Sequence, residues 1–396
     1  MDLSYSDEDE AFRAEIRGWL EEHLSGEFEH LKGLGGPGKD HEAIEERLAW
    51  NRRLAEHGWT GVGWPKEHGG RGLSLWQQVI FHEEYARADA PARVNHLGEE
   101  LLGPTLMAFG TEEQQQRFLP KILAVEELWA QGYSEPGAGS DLANVQTKAR
   151  QEDDEWVVDG QKVWTSNAHF SQWLFVIARS EPGSERHHGL SFLLVPIDQD
   201  GVEVRPIEQL TGGSEFNEVF FTEARTAADL VVGEPGDGWR VAMALLGFER
   251  GVSVLAQVVG FARELRTVVD VAKANGAIDD PVLRDRLAGL DVELEVLRWQ
   301  ALRGLSEEDA GGASVFKLAW ANWHKRLGEV AMDVRGLDGL VAADSTAEAP
   351  YVLDDLQRLF LFSRSDTIYG GSDEIQRNIL AERVLGLPRE PKGAAT

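Results

Sequence analysis

Apolar residues recur at helical spacing near both ends of the chain and alternate in strand fashion through its middle. Phe12, Ile16, Trp19 and Leu20 fall on one helical face, and Ser6 with Asp9 three residues on is a capping-box pattern, so an amphipathic helix is predicted to about Leu24. Glycines and Pro37 mark 26–38 as a loop, and the run from Gly58 to Gly72 reads as a long turn. Further helices are predicted over roughly 41–57, 74–88, 93–109 and 111–123, the last with Thr111 as its N-cap. From about residue 126 the period changes. Glu155–Asp159, Trp173–Ala178, Leu190–Val195, Val202–Pro206 and Glu218–Thr222 are short β-rich runs separated by Gly, Pro and Asp, as expected of a small antiparallel sandwich or barrel. Beyond 234 the helical period returns, with helices predicted over 239–270, 281–304, 311–335, 350–363 and 373–385. Three domains are therefore expected: an α-helical one over 1–125, a β-sandwich or barrel over 126–233 and an α-helical bundle over 234–396.

The stretch most informative about chemistry lies in the middle block. Ser134-Glu135-Pro136-Gly137-Ala138-Gly139-Ser140-Asp141 is a loop whose small residues let the backbone approach a flat ligand. Asp159-Gly160 then reads as a hairpin turn entering a strand that delivers Trp164, Thr165 and Ser166 together. A glycine-rich loop alone is a common feature, and this one is not a dinucleotide-type GxGxxG motif. The two segments in this order are more specific.

Composition narrows the choices. The 396 residues are 42 % hydrophobic and 27 % charged, which are globular values, and are enough for two or three domains. Cysteine is absent, so disulfides, thiolate nucleophiles and Cys-based metal sites are excluded. The adjacent pair His187-His188 sits in a polar loop and reads as a solvated turn, so no metal site is expected. The net charge of −29 opposes nucleic-acid binding, which needs a basic face. The acidic N-terminus lacks the features of a signal peptide and no apolar run approaches the ~18 residues of a membrane span, so a soluble, cytoplasmic protein with no membrane association is expected.

The loop and strand pair resembles the flavin-binding segment of the acyl-CoA dehydrogenase family. The resemblance extends to Gly61-Val62-Gly63-Trp64-Pro65-Lys66-Glu67-His68-Gly69-Gly70, to Gly110-Thr111-Glu112-Glu113-Gln114 with Arg117-Phe118-Leu119-Pro120, and to the last helix, so it covers nearly the whole chain. It implies an α+β fold with an N-terminal helical domain, a middle antiparallel β domain and a C-terminal four-helix bundle. It implies FAD as cofactor and the α,β-dehydrogenation of an acyl-CoA thioester to the trans-2-enoyl-CoA. A base removes the α-proton while hydride leaves the β-carbon for flavin N5. A polyanionic CoA substrate must then find a local basic exception on this acidic chain.

The resemblance also assigns roles. Gln131, Ser134, Gly139, Ser140, Trp164 and Ser166 are the expected flavin contacts, Trp164 against the isoalloxazine and Ser166 at its N5/C4 edge. Ser140, Arg250, Tyr369 and Gly370 are the expected substrate contacts. Many members carry the basic Glu in an Ile-Tyr-Glu-Gly context; here that stretch reads Ile368-Tyr369-Gly370-Gly371, and glycine takes no proton. Another branch, of isovaleryl- and long-chain-type enzymes, places the Glu on the first long C-terminal helix before an Arg. Here that place reads Gly247-Phe248-Glu249-Arg250-Gly251, which makes Glu249 the expected base. Gly370 keeps a backbone N–H for the thioester oxygen. Asp373 and Glu374 are rival bases, read as first-turn residues of the last helix behind an N-cap at Ser372.

Departures from the family fall at the ADP half of FAD. An Arg-x-x-Phe-Gly stretch is replaced by the region Val271–Pro281, and a Gln-x-x-Gly-Gly stretch by Asp333–Gly339, with Lys273 and Arg335 as candidate substitutes. The drift is similar to that of actinobacterial members, some of which are heteromeric. The expected partners are an acyl-CoA substrate and an electron-transferring flavoprotein, within a homodimer or homotetramer serving lipid metabolism through fatty acid β-oxidation. The alternatives are a heterotetramer in which this chain mainly completes a partner's FAD site, and a flavin oxidase or monooxygenase on the same fold.

Overall fold

The computed structural model describes residues 5–248, 253–306, 311–341 and 352–389. It divides into two compact units, one of residues 1–209 and 213–251 and the other of 210–212 and 252–396.

The first unit opens with α1 (Asp7–His23), α2 (Ile44–Glu56) and α3 (Leu75–Arg87). Ser6 and Asp9 form the reciprocal cap expected at the start of α1. A core of Ile16, Leu20, Trp50, Leu54, Trp59, Ile80 and Phe81 joins the three helices. The helix expected over 93–109 is instead a π-helical stretch, Leu97–Leu102, leading into α4 (Gly103–Phe109). Pro104 in the first turn of α4 has no N–H to give the preceding turn, and the backbone widens ahead of it. α5 (Glu112–Leu123) follows behind the Thr111 cap.

The sheet has eight strands: β1 (Trp129–Gly132), β2 (Lys148–Glu152), β3 (Glu155–Ser166), β4 (Trp173–Arg179), β5 (Leu190–Pro196), β6 (Val202–Ile207), β7 (Phe216–Ala227) and β8 (Val231–Val232). The order is β6-β7-β3-β2-β4-β5-β8, with β1 on β4. β1 runs parallel to β4, and the longer ladders are antiparallel. Along β4, Leu174 and Val176 enter one core while Phe175 and Ile177 enter the other, so the strand is apolar on both faces. The second of these cores also takes Leu102, Leu106 and Phe118 from the N-terminal helices and Val241 and Leu245 from α6 (Gly238–Phe248).

Asp159-Gly160 is not a hairpin turn. The turn between β2 and β3 is at Asp153-Asp154, with Asp153 in the left-handed region (φ 51°), and β3 runs on through Asp159-Gly160 as a β-bulge. Asp159 is occupied along the sheet, accepting from the Glu223 N–H at 2.8 Å and pairing with Arg150. Gly160 is required by close approach: a Cβ there would lie 2.7 Å from the Thr147 Cα.

The second unit is a bundle of α7 (Ser253–Asn275), α8 (Pro281–Ser306), α9 (Gly312–Arg335) and α10 (Asp355–Phe362), followed by α11 (Asp373–Ile379), which continues as a π-helical turn to Val384. α9 packs against α7, α8, α10 and α11, and its apolar side chains Phe316, Trp320, Trp323, Leu327 and Val330 are buried. The helix expected over 239–270 corresponds to α6 and α7, with 249–252 between them outside the described residues. Among the described residues no helix is long and apolar enough to cross a membrane.

Candidate functional site

In the first unit, the loop and strand expected to hold a flavin are joined directly. The Val163 N–H donates to the Ser134 carbonyl at 2.9 Å, which ties the end of the 131–134 segment to β3 just before Trp164. The tie coincides with a break in the β3–β7 ladder, whose register jumps between Lys162 and Thr165. Trp164 in that bulge has φ 59°, and its side chain is 57 % exposed, edge-on to Phe216. A non-glycine residue in the left-handed region costs roughly 1–2 kcal/mol, and an exposed Trp forgoes burial. Such strain and exposure together mark a candidate ligand site.

Beyond Ser134 the chain makes a tight turn in which Glu135 and Ala138 exchange N–H···O bonds of 3.1 and 3.0 Å. Gly137, Gly139 and Ser140 then lie exposed, and a Cβ at either glycine would meet nothing within 4 Å. Gln131 and Ser166 are half-buried at the ends of β1 and β3. Next to Trp164 the buried Thr165 hydroxyl has no hydrogen-bond partner among the described residues, and neither has the Asn167 side-chain oxygen. Exposed ring, open glycines and unpaired buried polar atoms on one stretch fit a flat, polar-edged group such as an isoalloxazine.

The sequence did not reveal what holds this arrangement. Lys162 is 0 % exposed, and its ammonium donates to Glu135 Oε1 at 2.8 Å, the Tyr133 carbonyl at 3.0 Å and the Ile177 carbonyl at 2.8 Å. Glu135 also accepts from the Gln146 and Thr147 N–H groups at 2.6 and 2.9 Å. Burial alone would raise its carboxyl; Lys162 and these N–H donors outweigh it and hold the carboxyl below its ordinary range. A lysine two positions before an exposed Trp gives no sign of burial, because lysine is rarely buried at all.

In the second unit, Tyr369 and Gly370 sit on a turn in which the Ile368 and Tyr369 N–H groups both donate to the Ser365 carbonyl, at 2.8 and 3.0 Å. Gly370 and Gly371 have φ 62° and 87°, so the turn takes two consecutive left-handed residues. A Cβ on Gly370 would find ordinary contact, 3.6 Å from Lys317 Cε, so backbone conformation rather than space favours glycine there. The Gly370 N–H has no acceptor among the described residues, while its carbonyl accepts from Gln376 at 3.2 Å.

The rival carboxylates have structural duties. Ser372 caps α11 from the Ile375 N–H. Asp373 is buried and accepts from Asn322 Nδ2 at 2.8 Å. Glu374 is held below its ordinary range first by its own N–H at the helix start, then by Ser372. Arg335 pairs with Asp354 at 2.9 Å, and Lys273 lies 3.8 Å from Asp270. Glu249 and Arg250 lie outside the described residues.

Three family models match the chain: the acyl-CoA dehydrogenase N-terminal domain over 6–126, the middle domain over 130–224 and the C-terminal domain over 236–385. The acyl-CoA dehydrogenase IpdE1 of Mycobacterium tuberculosis is 63 % identical over 387 residues, covering 97 % of this chain and 99 % of that one. Among solved structures, the Tcur3481–Tcur3483 steroid acyl-CoA dehydrogenase is similar at a TM-score of 0.84 and 30 % identity, over 98 % of this chain and 100 % of that one. The ChsE4–ChsE5 complex from Mycobacterium tuberculosis is similar at 0.81 and 30 %, over the same shares.

Proposed function

The chain belongs to the acyl-CoA dehydrogenase family, a family of flavin-dependent oxidoreductases, and on that premise we propose that it desaturates an acyl-CoA thioester at its α,β-bond with FAD as cofactor. The observation that carries this proposal is the bulge presenting Trp164 to solvent, tied through Val163 to Ser134. Trp164, Ser166, Gln131, Ser134, Gly139 and Ser140 would hold the flavin. When bound, FAD supplies the acceptor for the hydride that leaves the β-carbon.

In this proposal the chain's own groups manage the proton and the developing charge. Glu249 takes the α-proton onto its carboxylate, and Arg250 contacts the substrate. The Gly370 N–H donates to the thioester oxygen, where negative charge accumulates as the α-proton leaves, and Tyr369 flanks it. The left-handed glycines at 370 and 371 favour this division of labour. A carboxylate at 370 would add strain, whereas one supplied by Glu249 leaves the turn free to act as donor. The product is the trans-2-enoyl-CoA, and the electrons pass on to an electron-transferring flavoprotein in the cytoplasm. Likeness to a steroid acyl-CoA dehydrogenase favours a bulky, ring-bearing acyl group over a short straight chain.

A second proposal, that the chain works as one subunit of a heteromer, is favoured by that same likeness and by the likeness to the ChsE4–ChsE5 complex. The altered 271–281 and 333–339 segments belong with it, since Arg335 is engaged by Asp354 rather than free for a pyrophosphate. The test of both is an absorption spectrum of the protein purified alone, followed by anaerobic titration with straight-chain, branched and steroid-derived acyl-CoAs. A bound flavin that bleaches with one of them supports the dehydrogenase and names its substrate class. A colourless protein that takes up no FAD supports the heteromer and refutes a self-sufficient enzyme. Rapid reoxidation of the reduced flavin by oxygen would point to an oxidase instead.

A further inference from the structure

Behind the turn that carries Tyr369 and Gly370, α9 contributes a histidine that the proposed chemistry does not use. His324 is 5 % exposed and stands between carboxylates from two other elements. Its Nδ1 is 2.6 Å from Asp366 Oδ2, and its Nε2 is 2.8 Å from Glu264 Oε2 of α7. Only an imidazolium donates from both nitrogens at once. Burial by itself would lower the group; the two carboxylates together outweigh burial and lift it to about 10. Phe261 packs on the ring with centroids 4.5 Å apart, so the imidazole has little freedom to turn.

The contacts then run to the turn. Asp366 is 1 % exposed and uses its second oxygen to accept the Tyr369 hydroxyl at 2.8 Å. Its backbone carbonyl accepts from the ammonium of Lys317, which also lies over the Trp320 and Tyr369 rings at 4.5 and 5.2 Å. His324, Asp366 and Lys317 thus form a buried group of an imidazolium, a carboxylate and an ammonium, and the half-exposed Glu264 closes it from α7. Gly370 follows Tyr369 directly. Removing His324 leaves the charge of Asp366 uncompensated in a buried place, so the pair has one good arrangement and few alternatives.

We propose that His324 is a positioning residue for the Tyr369–Gly370 turn: held between Glu264 and Asp366, it fixes Asp366, Asp366 fixes Tyr369, and the direction of the Gly370 N–H is set in consequence. The consequence for catalysis rests on the donor role proposed above for Gly370; the clamp itself does not. His324 touches no reacting atom, and its effect on rate is exerted through the turn.

The test uses the full-length, flavin-loaded protein and two variants, His324→Gln and Tyr369→Phe, the second removing only a hydroxyl from a partly exposed ring. Hydrogen exchange read by mass spectrometry over 365–376 is expected to speed up about tenfold in both, with 112–123 unchanged. In His324→Gln the limiting rate of flavin bleaching, with whichever acyl-CoA bleaches the parent, is expected to fall about 10- to 100-fold. The acyl-CoA concentration at half-saturation should stay within about twofold, because ground-state binding is not what the turn controls. Parent-like exchange over 365–376 in Tyr369→Phe overturns the clamp, and does so even if His324→Gln fails to fold. Uniformly faster exchange across the whole chain in His324→Gln, or a loss of affinity at unchanged rate, also overturns it. If no acyl-CoA bleaches the parent, the dehydrogenase proposal fails while the exchange measurement still decides the clamp.

Discussion

Lys162 Nζ lies 2.8 Å from Glu135 Oε1, and the two groups join the strand and the loop on either side of the proposed flavin site. Neither partner is accessible enough to recover its solvation if the other is removed. Breaking a buried pair from one side costs about 3–5 kcal/mol. Glu135→Gln is therefore expected to lower the unfolding free energy read from urea denaturation by an amount of that order and to release FAD during gel filtration. Unchanged stability with full flavin retention would show that the pair is dispensable.

Trp164 offers the opposite case, a residue proposed to serve a ligand more than the fold. Trp164→Gly relieves a left-handed non-glycine residue while adding freedom to the unfolded chain, so the flavin-free protein should keep its stability within about 1 kcal/mol. Loss of aromatic stacking should weaken FAD binding about tenfold. Flavin fluorescence titration of apoprotein and variant reads the affinity, and urea denaturation reads the stability. Equal FAD affinity would remove Trp164 from the site.

Gly370 should resist side chains for conformational reasons. At φ 62°, Gly370→Ala is expected to cost roughly 1–2 kcal/mol, although the new methyl has room. If thermal denaturation shows no loss, the turn is not held in the left-handed conformation described.

The clamp at His324 gives the stability curve a direction in pH. The folded-state value is raised to about 10 from an ordinary 6.5, so the imidazolium's contribution is fully present below 6.5 and is lost as pH rises toward 10. The parent should lose stability on the order of a few kcal/mol between those limits relative to His324→Gln. Urea titrations of both proteins at several pH values test this. Parallel curves would mean that His324 carries no extra proton in the folded state.

How far the sequence foretold this depends on how local each feature is. The caps at Ser6, Thr111 and Ser372 were legible because a cap is decided within four residues. Most helices were legible from apolar period, and the segments proposed to face the flavin are singled out by their resemblance to the family. Asp159-Gly160 misled because the pair is as suitable for a bulge as for a turn, and the choice was made by Thr147 and Glu223 from other strands. β2 and β8 are absent from the predicted runs, and β1 owes its strand form to parallel pairing with β4. Lys162 and His324 were invisible for a related reason. Their partners lie 27 and 42 residues away, at Glu135 and Asp366, and no spacing rule announces such meetings.

Glu249 is proposed as the base that starts the reaction. The rate of anaerobic flavin bleaching by the identified acyl-CoA in Glu249→Gln, compared with the parent in a stopped-flow instrument, decides this role. The variant should retain FAD and bind the acyl-CoA, yet bleach about 10²- to 10⁴-fold more slowly, the range of a missing general base. A variant that bleaches at the parent's rate would contradict the assignment and return the role to the carboxylates of the 370–374 turn.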